Sequence, residues 1–182
     1  MTTPVFNLEK SLQVVLYVAN NLQRKDFHKI FKVIYFADRE HLSKYGRPIT
    51  GDTYIAMKDG PVPSKIDDIF KAVRGDSFFA LNENIHKFAE LFSVHDWYFI
   101  IPKQKANLDY LSQSDIEELD NSINKYGSMS WDEIREKSHD FAWRVTPDNT
   151  QISLDNIMRE TGEEENYIAY IGEHIALQKA CL

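Results

Sequence analysis

Two short stretches hold the residue types best suited to acid–base or metal chemistry. In YFADREHLSKY, Asp38 and His41 stand one helical turn apart, and in SHDFAW, His139 and Asp140 are adjacent. A carboxylate and an imidazole at that spacing can share a proton, and two such pairs brought together could ligate a divalent metal for hydrolysis. Nothing in the spacing joins the two pairs, and the chain has no phosphate loop, no GxGxxG, no HExxH and no GxSxG. A small metal-dependent hydrolase using Asp38, His41, His139 and Asp140 is therefore the lesser of two readings. Asp38 lies on an apolar stripe, four residues from both Ile34 and Leu42. An unpaired charge in a core costs several kcal/mol, so it reads first as a buried structural carboxylate. Its expected partners are Tyr35 and His41 along the helix, or Arg47 and Arg144 through the fold.

The elements around these residues follow from periodicity. Leu8, Leu12, Val15, Leu16, Ala19 and Leu22 predict a first helix starting at Asn7. Asp26 is the predicted cap of a second, which carries Phe27, Ile30, Phe31, Ile34, Leu42 and Tyr45 inward and ends at Gly46. Pro48 excludes Arg47 from helical geometry, a turn at Gly51-Asp52 leads into a strand over Thr53–Met57, and GPVPS reads as a rigid elbow into the next helix. Ser64 with Asp67 predicts a capping box for that helix, which Gly75 closes.

Residues 82–103 read as a helical start (Ile85, Phe88, Ala89, Phe92) running into a hairpin that turns near His95-Asp96. Ser114/Glu117, Ser130/Glu133 and Thr161/Glu164 predict three further capped helices, the first ended by Gly127 and the last running over about 162–181 with Tyr167, Ile168, Ile171 and Ile175 buried. Glu163, Glu164 and Glu165 suit the positive end of that last helix dipole better than a metal. The expectation is one α+β domain over 1–182, mainly α-helical, with a small antiparallel β element.

Composition narrows function. A 43% hydrophobic and 13% aromatic content excludes disorder, and no apolar run approaches the roughly 18 residues of a membrane span. MTTPVFNLEKSLQ has neither a basic nor an apolar leader region, so the expected location is cytoplasmic. The single cysteine, Cys181, forms no disulfide framework or zinc site within the chain and reads as a small apolar residue on the last helix. The net charge of −7 disfavours nucleic acid and suits a basic protein partner. His28, His86, His95 and His174 read as surface residues, and Trp97, Trp131 and Trp143 as core or lid aromatics.

The stretch YFADREHLSKYGRPITGDTYIAMKDGPVPSKI closely resembles the signature of the Panacea domain, the family of SocA-like antitoxins. LSQSDIEELDNSINKYGSMSWDEIREKSHDFAW is similar to the family's second block, and together they extend the match from about residue 8 to 158. The resemblance implies an antitoxin with no enzymatic activity and no cofactor. Its partner would be a cognate protein toxin, often encoded beside it, and one kind of relative also hands its toxin to a cellular protease. A prophage or defence setting fits such a protein. Asp38, Gly46, Pro48, Asp52, Tyr54, Gly60, Pro61, Pro63, His139 and Trp143 are then structural, and Arg39, Lys44, Arg47 and Lys58 are the expected toxin contacts on one rigid surface beside the elbow.

Overall fold

The computed structural model describes residues 4–76 and 85–181. The fold is α+β and mainly helical. Helix α2 (Phe27–Tyr45) runs through its centre, and α1 (Leu8–Asn21), α5 (Gln113–Tyr126), α6 (Trp131–Ser138) and α8 (Leu154–Glu160) pack on it. Every residue of α2 from Phe27 to Asp38 except His28 is buried, as a helix enclosed on all sides requires. The Asp26 carboxylate accepts from Lys29 N–H (3.1 Å) and caps the helix. At the other end Gly46 takes φ +67°, and a Cβ there would lie 2.6 Å from Ile171 Cδ1, so glycine both ends α2 and admits the last helix. Tyr45, expected inward, is 45% exposed, because it stands in the final turn beyond the core stripe.

After α2 the chain forms a hairpin of β1 (Tyr54–Met57) and β2 (Gly60–Pro63), with Tyr54 opposite Pro63 and Met57 opposite Gly60. The segment 149–152 lines the free edge of β1, where Ala56 N–H donates to the Thr150 carbonyl (2.9 Å) and Ile152 N–H to that of Tyr54 (2.8 Å). Helix α3 (Ser64–Arg74) follows at once. Beyond the undescribed residues, which include 82–84 of the predicted helical start, come α4 (Ile85–Leu91) and the expected second hairpin, β3 (Phe92–His95) with β4 (Phe99–Pro102). A short α7 (Phe141–Arg144) precedes α8, and α9 (Glu165–Ala180) packs on α8, with Ile168, Ile171 and Ile175 buried. Cys181 lies one residue past α9 and is exposed.

Of the predicted capping boxes, only Ser130/Glu133 forms as expected. Pro63 occupies the N-cap of α3 and Ser64 is already helical, with no side-chain cap bond there. In α5 the box is Ser112 with Asp115, because the Asp115 carboxylate reaches back to Ser112 N–H (2.8 Å), and Ser114 sits inside the helix. Thr161 ends α8 instead of starting α9, and its hydroxyl donates to the Met158 carbonyl (2.8 Å).

Candidate functional site

The Gly/Pro-rich joint is held by two buried carboxylates. Asp38, 3% exposed, accepts from Ile49 N–H (2.7 Å), Thr50 N–H (3.1 Å), Thr50 Oγ1 (2.6 Å) and Tyr54 Oη (2.8 Å). None of these donors is Tyr35, His41 or an arginine, the partners expected from the sequence. The main chain after Pro48 folds back over Asp38, and peptide N–H groups approach a buried carboxylate without a cation's desolvation cost. Burial raises the Asp38 pKa against those hydrogen bonds. Asp52 lies in the turn before β1 and accepts from Thr53 N–H (2.7 Å), Lys65 N–H (3.0 Å) and Ile66 N–H (2.9 Å). It therefore closes the start of α3 from outside the helix, the task expected of Ser64. Burial pushes its pKa up to about 6, against the pull of the three N–H donors.

Asp140 caps α7 through Trp143 N–H (3.0 Å) and also accepts from Tyr35 Oη (2.8 Å) and Arg39 Nη1 (3.2 Å). The Tyr35 and Tyr54 rings meet edge to face at 5.0 Å, so Asp38 and Asp140 stand behind a tyrosine pair. His139 stacks on Trp143 (3.7 Å), whose Nε1 donates to the Met57 carbonyl (2.9 Å) and ties α7 to β1. His41 belongs to another set: Nδ1 donates to the Arg47 carbonyl (2.7 Å), and Nε2 lies 3.0 Å from Ser114 Oγ and 3.2 Å from Asp115 Oδ1. Asp115 also takes Lys10 (2.7 Å) and Arg47 (3.3 Å). Burial would raise its pKa, but hydrogen bonds from His41, Lys10 and Ser112 outweigh that and hold it below the usual carboxylate range.

The acid–base quartet Asp38, His41, His139 and Asp140 thus sits in separate hydrogen-bond sets. The space among Tyr35, Asp38, Asp52 and Tyr54 amounts to about 10 Å³, which holds no substrate. Among the described residues no three His, Cys, Asp or Glu side chains gather as metal ligands. The four expected contact cations do not share one surface. Arg39 pairs with Glu40 and Asp140, Lys44 with Glu118 (2.7 Å) and Arg47 with Asp115. The Lys58 side chain makes no ion pair or hydrogen bond among the described residues, and it lies by the start of α2, where the neighbouring Asp59 carbonyl meets His28. Arg47 follows the far end of that helix, about 25 Å away at 1.5 Å per residue.

Sequence reasoning missed a polar cluster beneath the β1–β2 turn. Lys32 is fully buried and donates to the Pro61 carbonyl (2.8 Å). Gly60 makes room for it: with φ +99°, a Cβ there would collide with Ser138 Oγ and stand 2.9 Å from Lys32 Cε. His28, expected at the surface, is half-buried and stacks on Trp131 (4.7 Å), with Nε2–H donating to the Asp59 carbonyl (3.2 Å) and Nδ1 left without a partner. Burial and the nearby Lys32 charge lower its pKa to about 4. Trp97, expected in the core or a lid, is 68% exposed. The available signal was HKIFKVIYFAD, where Lys29 and Lys32 interrupt a helix that is otherwise apolar all round. Lys29 spends its charge on the carbonyls of Met129 and Tyr126 (3.3 Å for the latter), where the C-terminal end of α5 attracts a cation.

Burial lowers the Lys32 pKa to about 7 from 10.5. The unfolded chain keeps that proton to higher pH, so between about pH 7 and 10.5 the unfolded state binds more protons and stability rises with pH. Lys32→Met is expected to flatten this rise. Urea midpoints measured from pH 7 to 10 check it, and equal slopes in both proteins would place the ammonium in water.

The family profile described as Antitoxin SocA-like, Panacea domain, matches residues 30–144 of the 182. No curated protein and no solved structure matches the chain. Among the described residues no helix is long and apolar enough to cross a membrane. The matched range takes in α2 from Ile30 onward, the joint with both its carboxylates, α3, the second hairpin, and α5 to α7. On that match, covering well over half its length, the chain belongs to the SocA-like antitoxin family of Panacea domains.

Proposed function

We propose that this protein neutralises a cognate protein toxin by direct contact, the toxin being the product of an adjacent gene. The family match over residues 30–144 carries the reading. The joint supports it: buried carboxylates fix the loops beside α2, and a surface ordered in advance loses little entropy when a partner docks. Of the expected cations Arg39, Lys44, Arg47 and Lys58, the first three are held by carboxylates, so Lys58 is the proposed contact charge, in the cytoplasm and without cofactor or nucleic acid. Delivery to a cellular protease is a second outcome of the same contact and shows as falling toxin levels.

The test expresses the adjacent gene with and without this protein, scores growth, and co-purifies tagged toxin. Protection with a stable complex, or with loss of toxin that requires a protease, is expected, and His139→Gln should protect as well as the wild type. Protection that leaves no complex and no toxin loss, yet vanishes with a chelator or in His139→Gln, would replace this reading with the metal-dependent hydrolase.

A further inference from the structure

Beside the joint lies a groove of about 740 Å³, walled by the start of α2, the β1–β2 turn, α3 and the tip of the second hairpin. Its floor is aromatic: Phe27, Phe31 and Phe70 pack ring to ring beneath it, and Phe27 and Phe31 line it. Its rim carries apolar side chains that a folded chain normally hides. Tyr98 is 59% exposed, Phe99 38% and Met57 39%, with Trp97 next to them at 68%. Exposed aromatics gathered on one side of a monomer mark an interaction surface.

The hairpin tip is built to hold that display. Asp96 (φ 45°) and Trp97 (φ 67°) both occupy the left-handed region without being glycine, a backbone cost that the surroundings must offset. Arg74 from α3 does so. It donates to the Trp97 carbonyl (3.0 Å), and its guanidinium lies 5.6 Å from both the Trp97 and the Phe27 ring centroids. The rim is therefore fixed to the floor before any partner arrives.

The charge of the groove runs against that of the chain. Five lysine and arginine side chains line it against three carboxylates, whereas the whole sequence carries −7. Arg24, Lys71 and Arg74 are paired with Asp26, Asp67 and Asp76, and Lys32 is fully buried on the Pro61 carbonyl, so among the described residues Lys58 is the rim cation left without a partner. An occupant must therefore bring negative charge and a large apolar group together. The three carboxylates and the overall charge oppose a polyphosphate backbone, whereas a single carboxylate on a peptide can meet Lys58. We propose that this groove binds an acidic protein segment that places an aromatic side chain on the Phe27/Phe31 floor and a carboxylate against Lys58. The proposal rests on the antitoxin reading for the identity of the partner, the toxin, and on the groove for its chemistry.

Lys58→Glu and Tyr98→Asp change exposed rim residues, and Lys105→Glu changes an exposed charge outside the groove. Calorimetric titration of the full chain with the purified product of the adjacent gene should show each rim variant about tenfold weaker or worse, Lys105→Glu unchanged, and circular dichroism the same for all. Hydrogen exchange on the toxin should then protect a segment rich in Asp, Glu and aromatic residues. If the rim variants bind like the wild type, or a basic segment is protected, the groove proposal is overturned while toxin binding stands. If the wild type binds no such product, the antitoxin reading fails and a peptide decides the groove separately. Acetyl-Asp-Phe-Asp-Glu-Trp-Glu-amide should then shift amide resonances of groove residues in a 15N spectrum, with its all-lysine counterpart silent. Absence of those shifts, or stronger ones with a decathymidylate, overturns it.

Discussion

Asp38→Ala is expected to lower stability by about 4 kcal/mol, moving the thermal midpoint down by about 12 °C in a chain of this size. The substitution strands two peptide N–H groups and two hydroxyls that now converge on one carboxylate, all inside the core. Each buried donor left unpaired costs about 1–3 kcal/mol, and water reaching the space recovers part of the total. Asp38→Asn keeps the shape and one acceptor oxygen, and the Thr50 and Tyr54 hydroxyls can turn to accept from its amide, so its loss should be about half as large. Urea melts of both variants separate this from a contact role. A variant that melts like the wild type but no longer protects cells would make Asp38 part of the toxin surface.

The partners of Asp38 show where sequence reading ends. Local signals carried the elements whose cause is local: the stripe of α1, the Asp26 cap and Gly46 stop of α2, the β3–β4 hairpin and the Ser130 box all stand where spacing put them. Asp38 was legible as a buried carboxylate because it interrupts an apolar stripe. Its donors were not, since they sit 11, 12 and 16 residues onward in a loop whose path depends on tertiary packing. Helical neighbours such as Tyr35 and His41 were the natural candidates, yet each turns to a partner from a later segment, Asp140 and Asp115. The same limit hid the groove, which joins side chains from Arg24 to Asn149. The expected cations Arg39, Lys44 and Arg47 looked available in sequence because the carboxylates that engage them lie in or beyond α5, apart from Glu40.

The capping of α3 gives the sharpest test of this division between local and tertiary causes. A sequence motif assigns the cap to Ser64, whereas the geometry assigns it to Asp52, whose carboxylate oxygens meet the N–H groups of Lys65 and Ile66. Ser64→Ala is therefore expected to change stability by no more than about 0.5 kcal/mol, the range of a substitution that breaks no cap. Asp52→Ala should cost about 3 kcal/mol, since it frees three N–H donors, including that of Thr53, at a site 3% exposed. The pH dependence adds an independent check. With the folded pKa raised to about 6 from 3.8, the folded state holds the proton where the unfolded chain has lost it, so this contribution is complete below 3.8 and lost as pH rises through about 6. Asp52→Asn cannot titrate and should lack that fall between pH 4 and 6, leaving its stability relative to the wild type higher at pH 7 than at pH 4. Denaturation of the three variants at both pH values decides the matter. A loss of about 1 kcal/mol in Ser64→Ala with none in Asp52→Ala would return the cap to the serine and remove Asp52 from the joint.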